Sequence, residues 1–159
     1  MTLGSDAVTP LVKVANRTAK DFSNTALSWE YAMFDTHGMW DPADPKKVFI
    51  PIDGIYELIF SLTQNGTVVS FDPFISRNFI GAPPNGHAEH PDRILSYLWV
   101  PRIGSAAYSN FFGCTVHPLK AGDYVACSSQ RGSMGVNSSG TTTENAMAFF
   151  IVRWLDRLA

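Results

Sequence analysis

Gly54-Ile55-Tyr56-Glu57-Leu58-Ile59-Phe60-Ser61-Leu62-Thr63 decides the fold. Successive side chains of an extended strand point to opposite faces. Tyr56, Leu58, Phe60 and Leu62 therefore share one face, and Ile55, Glu57, Ile59 and Ser61 share the other. An antiparallel strand with one face in water alternates apolar with polar residues. Here the second face still carries two isoleucines, so the strand needs two buried surfaces. Gln64-Asn65-Gly66-Thr67 follows, and Asn-Gly between two apolar runs is a hairpin signal. Val68 to Ile75 is the expected returning strand, with Pro73 marking a bulge or its end.

Alternation continues on both sides of this hairpin. Upstream, Leu27, Trp29, Tyr31 and Met33 fall on one face of Ala26 to Asp35, and Val48, Ile50 and Ile52 on one face of Lys46 to Ile52. Downstream, strands are expected over Arg93 to Val100, Ser105 to Val116, Asp123 to Ser129 and about Glu144 to Leu155. Ser76 to Asp92 and Gln130 to Gly140 are rich in Gly, Pro or Ser and predict loops. The last strand repeats the two-sided pattern. Ala148, Phe150, Val152 and Trp154 lie on one side, and Met147, Phe149, Ile151 and Arg153 on the other. Helical periodicity is confined to Thr18 to Ser23, too short to form an element. Eight or more strands without a helix predict an all-β sandwich or barrel, and the size suits a jelly roll of about eight to ten antiparallel strands. Residues 1–24 precede the first sustained alternation and read as an N-terminal arm, with residues 25–159 as the head domain. Val12, Val14 and Ala15 offer an edge strand within that arm.

The 159 residues suit one domain. Charged residues make up 16% against the usual quarter, so much of the surface is neutral or covered. A net charge of −2 argues against a nucleic-acid surface built on excess Lys and Arg. No apolar run reaches the roughly 18 residues of a membrane span, so no membrane insertion is expected. Met1 to Pro10 lacks the basic start and apolar stretch of a secretory signal. The expectation is a chain used without secretion, or one whose signal is not in this sequence. Cys114 and Cys127 cannot form a disulfide framework and read as buried free thiols.

Three segments, in order, resemble one family. Phe34-Asp35-Thr36-His37-Gly38-Met39-Trp40 and Val48-Phe49-Ile50-Pro51-Ile52-Asp53-Gly54-Ile55-Tyr56 are similar to the approach to the main strand in the globular head of complement subcomponent C-one-q. The tumour necrosis factor ligands share that fold. Val116-His117-Pro118-Leu119-Lys120-Ala121-Gly122-Asp123-Tyr124-Val125 resembles the family's Leu-x-x-Gly-Asp-x-Val, and Ala146 to Leu155 resembles its last strand. The loop Ser76 to Asp92 has no family counterpart, and Phe149 stands where the last strand often carries Gly. The resemblance implies a homotrimeric jelly roll that binds a partner, and it implies no catalysis. In that fold the two two-sided strands are neighbours in the inner sheet, whose outer face meets the threefold axis. This implies a trimer interface of Ile55, Glu57, Ile59, Phe112, Met147, Phe149, Ile151 and Arg153. Ile59 then lies near the axis, and Glu57 and Arg153 pair within or between subunits.

Other chemistry is weaker. Gly86-His87-Ala88-Glu89-His90-Pro91-Asp92 gathers imidazoles and carboxylates, and a metal-dependent, cupin-like enzyme using His87, Glu89 and His90 is the alternative reading. The spacing is neither His-Glu-x-x-His nor the cupin His-x-His. Asp35, Asp41, Asp44 and Asp53 surround a second loop without calcium-loop spacing, beside Lys46 and Lys47. No Gly-x-Ser-x-Gly elbow is present. Cys114 and His117 fall on opposite faces of a strand. No catalytic residue, metal or cofactor is expected. The expected function is a non-enzymatic trimeric structural or binding module. By analogy with trimeric jelly rolls on bacteriophage particles it is a virion component, such as a capsid decoration, spike or fibre head, made in the host cytoplasm. The arm would then bind a capsid or other virion protein, and a cell-surface receptor or glycan is a further partner. A secreted ligand of the tumour necrosis factor type is the remaining alternative.

Overall fold

The computed structural model describes residues 8–18, 25–65, 73–81, 94–97, 108–129 and 148–158. Among them lie β1 (Leu11–Asn16), β2 (Tyr31–Asp35), β3 (Val48–Phe49), β4 (Gly54–Asn65), β5 (Pro73–Arg77), β6 (Ile94–Tyr97), β7 (Tyr108–Leu119), β8 (Tyr124–Ser129) and β9 (Ala148–Asp156). They form two antiparallel sheets, ordered β2-β1-β9-β4-β7 and β3-β8-β5-β6. The two-layer jelly-roll sandwich expected from the alternation is present.

The core lies between the sheets. Val12, Val14, Tyr56, Leu58, Phe60, Leu62, Phe150 and Val152 of the larger sheet face Val48, Ile75, Val125 and Cys127 of the smaller. Full burial of such side chains contributes roughly 1.5–3 kcal/mol each. Gly113 pairs with Phe60 across β4 and β7. A Cβ at Gly113 would collide with the Phe60 ring, so its absence makes room for that ring. The Tyr56 hydroxyl donates to the Ile52 carbonyl at 2.8 Å, and burial pushes its pKa up to about 12. Gly122, at φ +88°, turns β7 into β8. The Asp123 carboxylate closes that turn by accepting the Lys120 N–H at 2.9 Å.

One boundary moves. Residues 11–16, read above as part of an arm, form β1 in the interior of the five-stranded sheet, between β2 and β9. Val12 and Val14 are fully buried in the core. The alternation is hidden because the next inward position is Asn16, a polar residue that is also fully buried. Pro73 is the first described residue of β5, paired with Ser129, and does not end the strand. The expected strands over 26–35 and 46–52 shorten to β2 and β3. Leu27 and Trp29 still enter the core, from irregular backbone in which Leu27 N–H donates to the Cys127 carbonyl. The hairpin turn at 66–67, the loop 130–140 and most of the loop 76–92 lie outside the described residues.

Candidate interface on the outward face of the larger sheet

β4 pairs with β9 on one side and β7 on the other, so strand register fixes what lies beside each outward residue. Leu11, Arg153, Glu57 and Val116 form one row across β1, β9, β4 and β7. The next row is Phe34, Lys13, Ile151, Ile59 and Cys114, beginning on β2. A third is Tyr31, Ala15, Phe149, Ser61 and Phe112. Ile55 lies beside Pro118 at one end. These residues alternate with the core positions and therefore face away from the sandwich.

The face is apolar and uncovered at its margins. Phe112 is 62% exposed, Val116 50% and Phe34 43%. Ile55, Ile59, Phe149 and Ile151, nearer the middle, are half-buried by their neighbours. Its charges are already partnered within one chain. Arg153 Nη2 lies 2.6 Å from Glu57 Oε2. Cys114 Sγ stands 4.0 Å from Glu57 Oε1. Lys13 Nζ sits 4.5 Å from the centre of the Phe149 ring, and the Arg17 guanidinium 4.5 Å from that of Tyr31. An ammonium or guanidinium over an aromatic face is attracted by the ring quadrupole. Each of these charges thus has a partner within the chain, and the rest of the patch offers hydrophobic contact.

Seven of the eight residues named from the sequence, Ile55, Glu57, Ile59, Phe112, Phe149, Ile151 and Arg153, share this face. Met147 lies outside the described residues. The Glu57–Arg153 pair forms within one chain. The sequence reading missed Cys114 and Val116, which the period of β7 gives at once from Phe112. It also missed Leu11, Lys13, Tyr31 and Phe34, because the strand offered at Val12, Val14 and Ala15 was read as an edge strand of an arm and not as the interior strand between β2 and β9. Cys114 corrects a further expectation: it is an exposed free thiol, whereas Cys127 is buried, its pKa pushed up to about 12 by burial.

The remaining candidates are dispersed. The Asp35 carboxylate accepts backbone N–H groups of His37, Met39 and Trp40. Asp41 accepts the Ala43 N–H, and Asp53 that of Ala121. Asp44 pairs with Lys47 at 2.7 Å, and this hydrogen bond raises the Lys47 pKa above its ordinary value. Each carboxylate thus serves its own turn or pair. His117 points opposite to Cys114, its Nε2 2.8 Å from the Leu95 carbonyl oxygen. His87, Glu89 and His90 lie outside the described residues.

No family model matches the sequence, and no curated protein matches it. Solved structures do. The globular domain of the zebrafish complement 1qA protein is similar with a TM-score of 0.67 at 14% identity, covering 95% of this chain and 100% of that one. The Eiger tumour necrosis factor from S. frugiperda gives 0.69 at 12% identity, covering 95% of both chains. The chain has the jelly-roll fold of the complement 1q and tumour necrosis factor heads. Murine APRIL, solved at pH 5.0, gives 0.65 at 13% identity over 93% of this chain and 100% of that one. The resemblance read from three short segments is therefore a resemblance of the whole sandwich.

Proposed function

We propose that this protein is a non-enzymatic binding module that works as a homotrimer, closed through the outward face of the larger sheet. One observation carries the reading: β4 and β9 are apolar on both sides, and one chain buries only one of them. A monomer would leave Phe34, Phe112 and Val116 in water beside a row of half-buried isoleucines. Contiguous apolar patches of this kind mark interaction sites. A second copy suits the face because its charges are satisfied internally and its centre is aliphatic and aromatic.

Two settings suit such a module. We favour a virion component, a capsid decoration, spike or fibre head, with the residues ahead of β1 attaching it to the particle. A receptor or glycan would then be bound elsewhere on the head. The second setting is a secreted ligand, which the similarity to two tumour necrosis factor-type structures favours. Sedimentation at micromolar concentration tests the common core of both. A species of three chains is expected, and a stable 17.5 kDa monomer would refute it. Deleting residues 2–7 separates attachment from folding: it should leave melting unchanged and abolish binding to the carrier particle.

A further inference from the structure

The charged pair on the otherwise apolar face is a feature the fold of a single chain does not require. Arg153 keeps 52% of its side-chain surface and Glu57 19%, so in one chain the guanidinium is still hydrated. Breaking a pair whose cation stays in water costs far less than breaking one that is dry on both sides. A partner closing over the face removes that water. The guanidinium then depends on Glu57, its contact at 2.6 Å; the other acid near it among the described residues, Asp156, stands beside Ile55 in the next row. Across β9 lies Leu11, and on the far side of Glu57 lies Val116. Cys114 supplies a thiol, 4.0 Å from Glu57 Oε1. Lys13, in the next row, is cationic and lies on the Phe149 ring. Removing one member of a buried ion pair strands the other charge in a dry site, and that cost is large.

From this asymmetry we infer that the Glu57–Arg153 pair is an assembly lock: nearly neutral for the folded chain, decisive once a second copy covers the face, and repeated at every contact of the closed ring. The inference rests on the homotrimer reading. Neutralising Glu57 leaves Arg153 charged and unpaired under the partner. The same lock selects against foreign partners that would separate the two groups.

The experiment compares wild type, Glu57→Gln and the double variant Glu57→Leu/Arg153→Met by sedimentation over a concentration series at pH 7, with circular dichroism on each sample. Glu57→Gln should keep the β-sheet spectrum and raise the concentration at which trimers dissociate by about a hundredfold or more at pH 7. The double variant, which replaces the pair by apolar side chains of similar volume, should assemble at least as well as wild type. Unchanged association of Glu57→Gln would overturn the lock. So would a folded double variant that dissociates as readily as the single one. Should Glu57→Gln fail to fold, Arg153→Met takes its place, because it strands Glu57 under the partner in the same way, and its unchanged association would equally overturn the lock. A wild-type monomer at pH 7 would refute the trimer itself, an outcome distinct from a trimer indifferent to Glu57.

Discussion

The two sheets present opposite solutions on their outward faces. In the smaller sheet Phe74, Ser76, Ala126 and Ser128 alternate with the core residues Ile75, Val125 and Cys127, yet all four are fully buried by the chain's own atoms. The Ser76 hydroxyl even finds a partner there, donating to the Phe79 carbonyl at 2.7 Å. In the larger sheet the corresponding face is left uncovered at its margins, with Phe112 and Val116 exposed. Alternation says which side of a sheet a residue occupies. It does not say whether the same chain covers that side. Among the described residues, the larger sheet leaves an apolar outward face uncovered and the smaller does not.

Matched carboxylates would break this comparison most sharply. Ala126→Asp places an unpartnered charge under the chain's own cover, a cost of several kcal/mol, roughly 2–7 even for a neutral polar group. The chain should lose its fold, seen as a missing thermal transition. Ile59→Asp places the same group on the open face. The sandwich should persist, while sedimentation shows monomer and aggregate in place of trimer. A trimer of normal stability from Ile59→Asp would erase the distinction between the two faces.

A smaller effect is expected from a methyl group in the core. Gly113→Ala drives a Cβ into the Phe60 ring and should cost about 1–3 kcal/mol by overpacking. Denaturant unfolding of the single chain, in the Ile59→Asp background, would measure it apart from assembly.

The two thiols report on the faces without perturbing them. Cys127 should resist a thiol reagent until the chain unfolds, because it is fully buried. Cys114 should react in Ile59→Asp and be protected in the wild-type assembly. Rapid labelling of Cys114 in the wild type at micromolar concentration would show the face to be open.

The smallest effect is a titration. Burial raises Tyr56 from 10.0 to about 12 and Cys127 from 9.0 to about 12. Both groups stay protonated in the folded chain after the unfolded chain has begun to lose the proton. Stability from these groups is therefore complete below about pH 9 and falls as the pH rises towards 12. Tyr56→Phe should lower stability by about 1 kcal/mol at neutral pH, through the lost hydrogen bond, and flatten the alkaline decline. Melting temperatures between pH 8 and pH 11 would check both signs.

Much of this architecture was legible because β4 and β9 are long and apolar on both sides, a pattern few folds tolerate. The Gly122-Asp123 turn was legible because its φ demands glycine and its carboxylate closes the turn. β1 was not. Six residues with Lys13 outward and Asn16 inward carry too little contrast to separate a strand from an arm. Its place is set by what flanks it, the β2 and β9 backbones, and not by its own composition. The Asp123–Asn78 contact at 2.6 Å was equally invisible, since it joins loops far apart in sequence through a residue held at φ +53°. Of the outward face, the part on β4, β7 and β9 was readable from alternation. The part on β1 and β2 was lost with β1.

The position of β1 also sets a schedule. Its partner β9 comprises residues 148–156, so two adjacent interior strands of the larger sheet lie near opposite ends of the sequence. During synthesis β4 and β7 can meet early, but the seam between β1 and β4 stays empty until the last strand leaves the ribosome. Such distant pairing makes folding slow and late. Until it is complete, the β9 edge of β4 is open, and neighbouring nascent chains on one messenger can meet through it.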